Sequence, residues 1–369
     1  MFIQNTFGKM IEEQLKNVFE QFQHQAKFKS YKELASGHIN TTYLIKTHDK
    51  PYYVLQCLND HVFTDVPGLI GNKVAISEHI QNKLKSTSPD VSASKVLTFL
   101  KTKTDQSYVK DINGNYWNLM YYIDNSITHE VVSNKSIAYE AGLLMGEFLI
   151  MTEDFEADKL VEVIPKFHDM SYRFRQFEEA LQHAEKERFS NSEKFINLVK
   201  NLKNEMHILQ QLKDAGKLKM RVTHNDTKIS NMLFDTKNQG ICVIDTDTVM
   251  PGIIHYDFGD AIRTICNTAA EDETNLDRVE FNVSFYEAYT KGFLKKMKPS
   301  LSALELQHLP LAVKTMIFII GLRFLTDYLN GDIYYKTNYE QHNLDRAKNQ
   351  FKLLESFTSQ SPSISHLLE

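Results

Sequence analysis

Near the start of the chain, Ile11, Leu15, Val18, Phe19 and Phe22 recur at nearly the three-, four- and seven-residue spacing of one helix face, which predicts an amphipathic helix over residues 10–28. The period then falls to two. Short runs around Thr42–Lys46, Tyr52–Leu55, Lys95–Lys103 and Trp117–Ile123 predict antiparallel strands, the first and last pairs joined by the turn-like segments THDK and DINGN. Between the second and third runs, Val74, Ile76, Ile80 and Leu84 return to helical spacing over Asn72–Lys85. The order strand, strand, helix, strand, strand describes a small α+β lobe.

From about Ser136 the pattern is mainly helical, with predicted helices at Ile137–Met151, Tyr172–Ala184, Ser192–Ala215, Val279–Met297, Ala303–Leu329 and Asn343–Phe357. One strand pair interrupts it: Met232–Phe234, a turn at Lys237–Gly240, and Ile241–Ile244 ending on Asp245. The expected fold class is α+β, with a small N-terminal antiparallel-sheet lobe over residues 1–124 and a larger mainly helical C-terminal lobe over 125–369. A polar hairpin inside the second lobe implies a ligand cleft between the two. At about 100–200 residues per domain, 369 residues suit that division.

Composition narrows the function. Lys plus Arg number 42 against 47 Asp plus Glu, a net charge of −5 with no long single-sign block, so a nucleic-acid partner is not expected. The apolar run Met316–Leu325 contains Arg323, follows Lys314 and falls short of the roughly 20 apolar residues of a spanning helix. The N-terminus lacks the layout of a signal peptide, and Cys57, Cys242 and Cys266 show no ligand spacing, which predicts a soluble cytoplasmic protein with reduced, buried thiols. No obligate protein partner is evident, and Thr358–His366 reads as a loose tail.

The chemistry concentrates in VTHNDTKISNMLFD, which sets His224, Asp226 and Asn231 at the spacing HxDxxxxN, with Asp245 delivered 14 residues later at the end of an apolar strand. Phosphoryl transfer uses such a set: one carboxylate to orient and deprotonate the attacking hydroxyl, and an amide oxygen and a second carboxylate to hold Mg²⁺ against the phosphates of ATP. Asp226 takes the first role, Asn231 and Asp245 the second. Taken singly, each is an ordinary turn, cap or strand-end residue. Together, at this spacing and behind a strand-rich lobe, they point to catalysis. His224 is expected to brace the loop rather than carry a proton. Asp257, Phe258 and Gly259 spell DFG, but 26 residues past Asn231 and after Pro251–Gly252, so Asp257 is assigned a loop-supporting role.

On the nucleotide side, LASGHINTTYLIK offers only Gly37 where a protein kinase has GxGxxG. Backbone amides near Gly37 and the hydroxyls of Thr41 and Thr42 would cradle phosphates, and Tyr122, near the end of the last strand run of the small lobe, joins the nucleotide-binding candidates. The strand YYVLQ presents Gln56 where a phosphate-binding Lys is expected, so either amide hydrogen bonding replaces the charge or activity is lost. Glu78 stands on the helix where kinases keep that lysine's partner, or, without the lysine, is a plain surface acid. GxxxxGK[ST], HExxH and GxSxG are absent.

HxDxxxxN, a strand-terminal Asp and a later Asp-rich loop resemble the aminoglycoside phosphotransferase and choline kinase superfamily. More narrowly, GHINTTYL (37–44), FHD (167–169), RVTHNDTK (221–228), IDTDTVMPG (244–252), DFGDAIR (257–263), RFLTDYLNGDIYY (323–335) and HNL (342–344) resemble the N-acetylhexosamine 1-kinases. The resemblance implies a protein-kinase-like two-lobed fold and ATP- and Mg²⁺-dependent phosphorylation of the anomeric hydroxyl of N-acetylglucosamine or N-acetylgalactosamine. It makes Asp226 the base, puts Asn231 and Asp245 near the metal, lines the sugar pocket with His38, Arg323 and Tyr334, and accommodates Gln56. Ser230 and Thr264 depart from the pattern. From the residues alone, Arg323 would pair with Asp327 one helical turn on, or point into a polar cavity if buried. Kinases of N-acetylmuramate, an amino alcohol or an aminoglycoside stay open, as does a catalytically silent nucleotide-binding scaffold.

Overall fold

The computed structural model of the chain describes residues 2–34, 39–87 and 92–364, so Gly37 and His38 lie outside the described residues. The chain divides into two compact units: Met1–Thr128 with Met151–Ile164 and Met232–Pro251, and His129–Ile150 with Pro165–Asn231 and Gly252–Glu369.

The first unit is built on an antiparallel sheet of β1 (Phe28–Leu34), β2 (Thr41–Thr47), β3 (Tyr53–Leu58), β4 (Phe99–Leu100), β5 (Val109–Lys110) and β6 (Tyr116–Tyr121), in the order β1-β2-β3-β6-β4 with β5 also on β6. Alternation separates its two faces. Tyr43, Ile45, Tyr53, Leu55, Trp117 and Leu119 pack on Leu15, Val18, Phe19 and Phe22. The opposite face carries Val54 and Met120, which pack with Cys242 and partly buried Leu233 of the hairpin Met232–Phe234/Gly240–Val243. Gln56 lies on this second face, opposite Thr42 on one side and Asn118 on the other.

Several boundaries differ from the sequence pattern. The opening helix spans Phe2–Phe19, because the chain then turns to pair the Gln23 N–H with the Lys101 carbonyl at 2.8 Å. Strand β1 escapes the alternation rule because it is an edge strand whose lysines face water. The run at Lys95–Lys103 yields only the two residues of β4, since Ser92–Lys95 is helical and the Thr102 hydroxyl accepts the Gln106 N–H at 3.0 Å in a turn. The following helix covers Val66–Thr87, six residues longer at its start than expected, because the Asp65 carboxylate accepts the Gly68 N–H at 2.9 Å as an N-cap.

The second unit is helical around Leu309–Leu329, of whose residues 17 are buried, including both apolar and polar ones on every side. Among the described residues this is the one helix long and apolar enough to cross a membrane by length and composition, and it is mostly buried inside the protein. It exceeds the expected apolar run because Lys314 reaches Glu205 at 2.8 Å and so is accommodated within it. Pro310 sets its start and separates it from Ala303–Gln307, which Ser302 and Glu305 cap reciprocally. The predicted helix Ser192–Ala215 is likewise two, Lys186–Met206 and Ile208–Asp214. Helices Lys135–Met151 and Val283–Met297 touch backbone to backbone: a Cβ on Gly142 would lie 2.1 Å from the Tyr289 carbonyl oxygen, and one on Gly292 2.1 Å from that of Tyr139. The closing helix His342–Ile364 runs through most of the stretch expected as a tail; residues 365–369 lie outside the described residues.

Candidate active site

In the second unit, the short strand Arg221–Thr223 leads into the HxDxxxxN loop. Its first residue is anchored by a buried ion pair from Arg221 to Glu305. Asn225 then takes a left-handed backbone, φ 64°. That conformation is held from the helix Ile254–Ile265: the Asp257 carboxylate accepts the His224 and Asn225 N–H groups at 2.8 and 2.7 Å, and Asp260 accepts the Thr227 N–H at 2.9 Å. Three residues apart, Asp257 and Asp260 share a helix face. Asp257 therefore supports the loop, as its position after Pro251–Gly252 suggested. Burial, outweighing the two amides, pushes its carboxyl up to about 7.

The Asp226 carboxylate accepts hydrogen bonds from Asn231 Nδ2 and Lys228 Nζ, both at 2.9 Å, and Asn231 Nδ2 also donates to the Asp226 carbonyl at 2.8 Å. With its nitrogen so engaged, the Asn231 amide directs Oδ1 away from Asp226. Burial alone would raise the Asp226 carboxyl, but Lys228, His224 and Asn231 together hold it below the usual carboxylate range. The carboxylate is thus ionised at neutral pH and, at 32% exposure, reachable. His224 is fully buried and its Nδ1 accepts the Asp226 N–H at 3.3 Å, which fits bracing.

Arg323 does not pair with Asp327. That carboxylate accepts the Tyr334 and Tyr335 N–H groups at 2.8 and 2.9 Å and the Asn343 amide at 2.9 Å, shaping the 331–335 loop instead. The Arg323 guanidinium lies 5.0, 5.8 and 5.6 Å from the ring centres of Phe167, Tyr334 and Tyr335, with no acidic partner among the described residues. Tyr334 is 62% exposed, so packing is not its main occupation. A second cation stands beside Arg323. Arg173, which sequence reasoning passed over, donates to the Phe167 carbonyl at 2.8 Å and to Gln176 at 2.8 Å, and burial together with Arg323 lowers its pKa to about 10. Burial and the same two arginines hold His168 neutral. The signal in the sequence was an Arg four residues past FHD on a helix face.

The remaining candidates belong to the first unit. Thr41 is exposed and Thr42 half-buried at the start of β2; Tyr122 follows β6 and gives its N–H to the Tyr52 carbonyl at 3.0 Å. Asp245 ends the hairpin strand with φ 57° and ψ 55°. Gln56 meets a lysine after all, supplied by the helix: Lys73 Nζ donates to Gln56 Oε1 at 2.7 Å and forms an ion pair with Asp247. Glu78 is exposed, which fits a plain surface acid. The structure thus gathers Asp226 with Asn231, Arg323 with Tyr334, and Thr42 with Gln56, while Asp245 lies in a different unit from Asp226 and Asn231.

A profile of the phosphotransferase enzyme family, APH, matches residues 30–292. The chain belongs to this family. An aminoglycoside phosphotransferase from Alicyclobacillus acidocaldarius is similar in structure, with a TM-score of 0.59 at 14% identity over 95% of this chain and 96% of that one. A microcompartment-associated aminopropanol kinase gives 0.58 at 14% identity over 97% and 99%, and an amicoumacin kinase solved with AMP-PNP and Ca²⁺ gives 0.57 at 12% over 96% and 96%. These likenesses bear on the fold, which is the α+β, protein-kinase-like one expected from the sequence.

Proposed function

We propose that this phosphotransferase is a cytoplasmic kinase that moves the γ-phosphoryl group of ATP to the anomeric hydroxyl of N-acetylglucosamine or N-acetylgalactosamine, with residues 1–124 serving the nucleotide and 125–369 the sugar. The observation that carries the reading is the ionised Asp226, held by Asn231 and Lys228 in the same unit as an arginine that stands over three aromatic rings with no acid among the described residues. Amicoumacin kinase, bound to a nucleotide analogue, supports ATP as the donor.

In this reaction the sugar's O1 attacks the γ-phosphorus, the bond from that phosphorus to the bridging oxygen breaks, ADP leaves, and the O1 proton passes to Asp226. Mg²⁺, when bound, neutralises the phosphate charge. Oxygen donors suit it, few from protein and the rest from water and phosphate. The Asn231 amide oxygen and the Asp245 carboxylate have that chemistry, and among the described residues no cluster of three His, Cys, Asp or Glu offers an alternative cage. Gly37, Thr41, Thr42, Gln56 and Tyr122 are proposed for the nucleotide, and His38, Arg323 and Tyr334 for the sugar.

A second reading has its own observation. Arg173 beside Arg323, neither with a carboxylate partner among the described residues, favours a sugar with an acidic substituent such as N-acetylmuramate, and disfavours the polycationic aminoglycosides and amino alcohols. The deciding experiment follows ADP release with ATP and Mg²⁺ across N-acetylglucosamine, N-acetylgalactosamine, N-acetylmuramate, glucose, galactose, choline and kanamycin, reading the phosphorylated position by NMR. Turnover at O1 of either N-acetylhexosamine is expected. Activity only elsewhere in the panel would remove the substrate assignment, and ATP binding without turnover on any acceptor would favour a silent scaffold.

A further inference from the structure

The Lys73–Asp247 pair is an enclosed ion pair of the first unit, its side chains 2% and 4% exposed. Asp247 stands two residues past Asp245, and its carboxylate accepts from three side chains: Lys73, Gln56 Nε2 at 3.2 Å, and Asn40. Asn40 in turn accepts the Asn59 N–H at 2.8 Å, so the carboxylate ties together the chain entering β2, strand β3 and the helix Val66–Thr87. The residue before Lys73 holds the same turn from its far side, since Asn72 Nδ2 donates to the Val249 carbonyl at 2.9 Å and to that of Val161 at 2.8 Å. Consecutive helix residues therefore grip positions 247 and 249 of a turn whose first residue, Asp245, has a left-handed backbone. A non-glycine residue keeps that conformation only where its surroundings over-determine it.

Lys73 has little left to offer a phosphate. Its ammonium gives hydrogen bonds to Gln56 and Asp247 and lies 5.5 Å from the Phe99 ring centre, with almost no surface exposed. We infer that Lys73 is a positioning residue: with Asn72 it clamps the 245–249 turn through Asp247 and so aims Asp245, instead of gripping nucleotide phosphates as a strand lysine does. The helix supplies the cation and the strand the amide, the reverse of the lysine-on-strand arrangement in protein kinases. This rests on the phosphotransfer reading only for what Asp245 is aimed at.

Two measurements separate the possibilities. In metal-free protein, hydrogen exchange of the 246–249 amides should quicken in Lys73→Met, while β1–β3 amides keep their wild-type rates. The Mg²⁺ concentration for half-maximal turnover should rise by about tenfold or more, as when a residue supporting a metal ligand is lost, with ATP affinity in EDTA unchanged within about twofold. Lys73→Met/Asp247→Asn, which leaves no buried charge uncompensated, should show the same shifts, and it carries the test if the single variant is unstable. Unchanged turn exchange and Mg²⁺ requirement, or wild-type values in the double variant, would overturn the inference. So would a loss of ATP affinity in EDTA of about tenfold, which would make Lys73 a phosphate ligand. Wild-type protein that binds no ATP with Mg²⁺ would remove the phosphotransfer reading, and the exchange measurement would still decide the clamp.

Discussion

The 221–231 loop and the 245–249 turn each keep a non-glycine residue in the left-handed region, Asn225 beside Asp226 and Asp245 itself, and they are held there by opposite means. In the loop, main-chain amides donate into two carboxylates of a single helix. In the turn, a side-chain carboxylate collects donors from three separate segments. The first device holds the loop through its main chain and stakes its shape on Asp257 and Asp260. The second makes the shape depend on the Asp247 side chain and its donors, so substitutions at Lys73, Gln56 or Asn40 are felt in the turn.

Asp226→Asn separates chemistry from support most sharply. Loss of the base should lower kcat by about 10³-fold, while Tm, with a partly exposed group replaced, stays within about 3 °C. Near-wild-type turnover would reject the base assignment. Asp257→Asn does the converse, turning one of the two oxygens that accept the His224 and Asn225 amides into a donor at a cost of about 2 kcal/mol, read as a Tm several degrees lower at pH 5. The sign of its pH dependence follows from a carboxyl raised to about 7: the folded protein holds a proton that the unfolded chain has released. This group's contribution to stability is therefore present in acid and lost as pH rises through about 7. The difference in Tm between wild type and Asp257→Asn should track that window.

Lys228→Met is a smaller test. The Asp226 carboxyl is depressed, chiefly by the Lys228 ammonium, so its ionised form persists as pH falls, and the acid limb of kcat/KM should lie below the range of an ordinary aspartate. Removing the ammonium should move that limb upward, and an unmoved limb would mean that Asp226 is not the group titrating. Least of all, Asn118→Leu should stabilise the first unit by about 1 kcal/mol, because the Asn118 amide is fully buried opposite Gln56 with neither atom hydrogen-bonded among the described residues. A fall in Tm there would show that the amide has a partner.

Legibility in the sequence follows the same division. Asp226, Asn231 and Asp245 could be singled out because one strand–loop–hairpin segment fixes their spacing, and the helices because apolar periodicity survives wherever one face is buried. Lys73 could not. Its partners lie 17 and 174 residues away, and nothing local distinguishes it from a surface lysine on an amphipathic helix. Arg173 was hidden for a related reason: its importance comes from a second arginine 150 residues on, not from its neighbours. The edge strand β1 shows the remaining limit, since a strand with its polar side in water has little alternation to read.

The central helix Leu309–Leu329 is synthesised before His342–Ile364, the helix that sets Phe351 against its Phe318 at 6.2 Å between ring centres. Until that later helix emerges, the nascent chain displays 21 residues that qualify as a membrane span by length and composition. What sets the segment apart from a true span at that stage is its three charged residues, Lys314, Arg323 and Asp327. On the scale by which the insertion machinery reads a helix, each costs about 3 kcal/mol near the centre and less toward an end. Arg323, nearest the middle of the three, thus adds most to the cost of inserting such a segment, as well as standing over the aromatic rings of the folded protein.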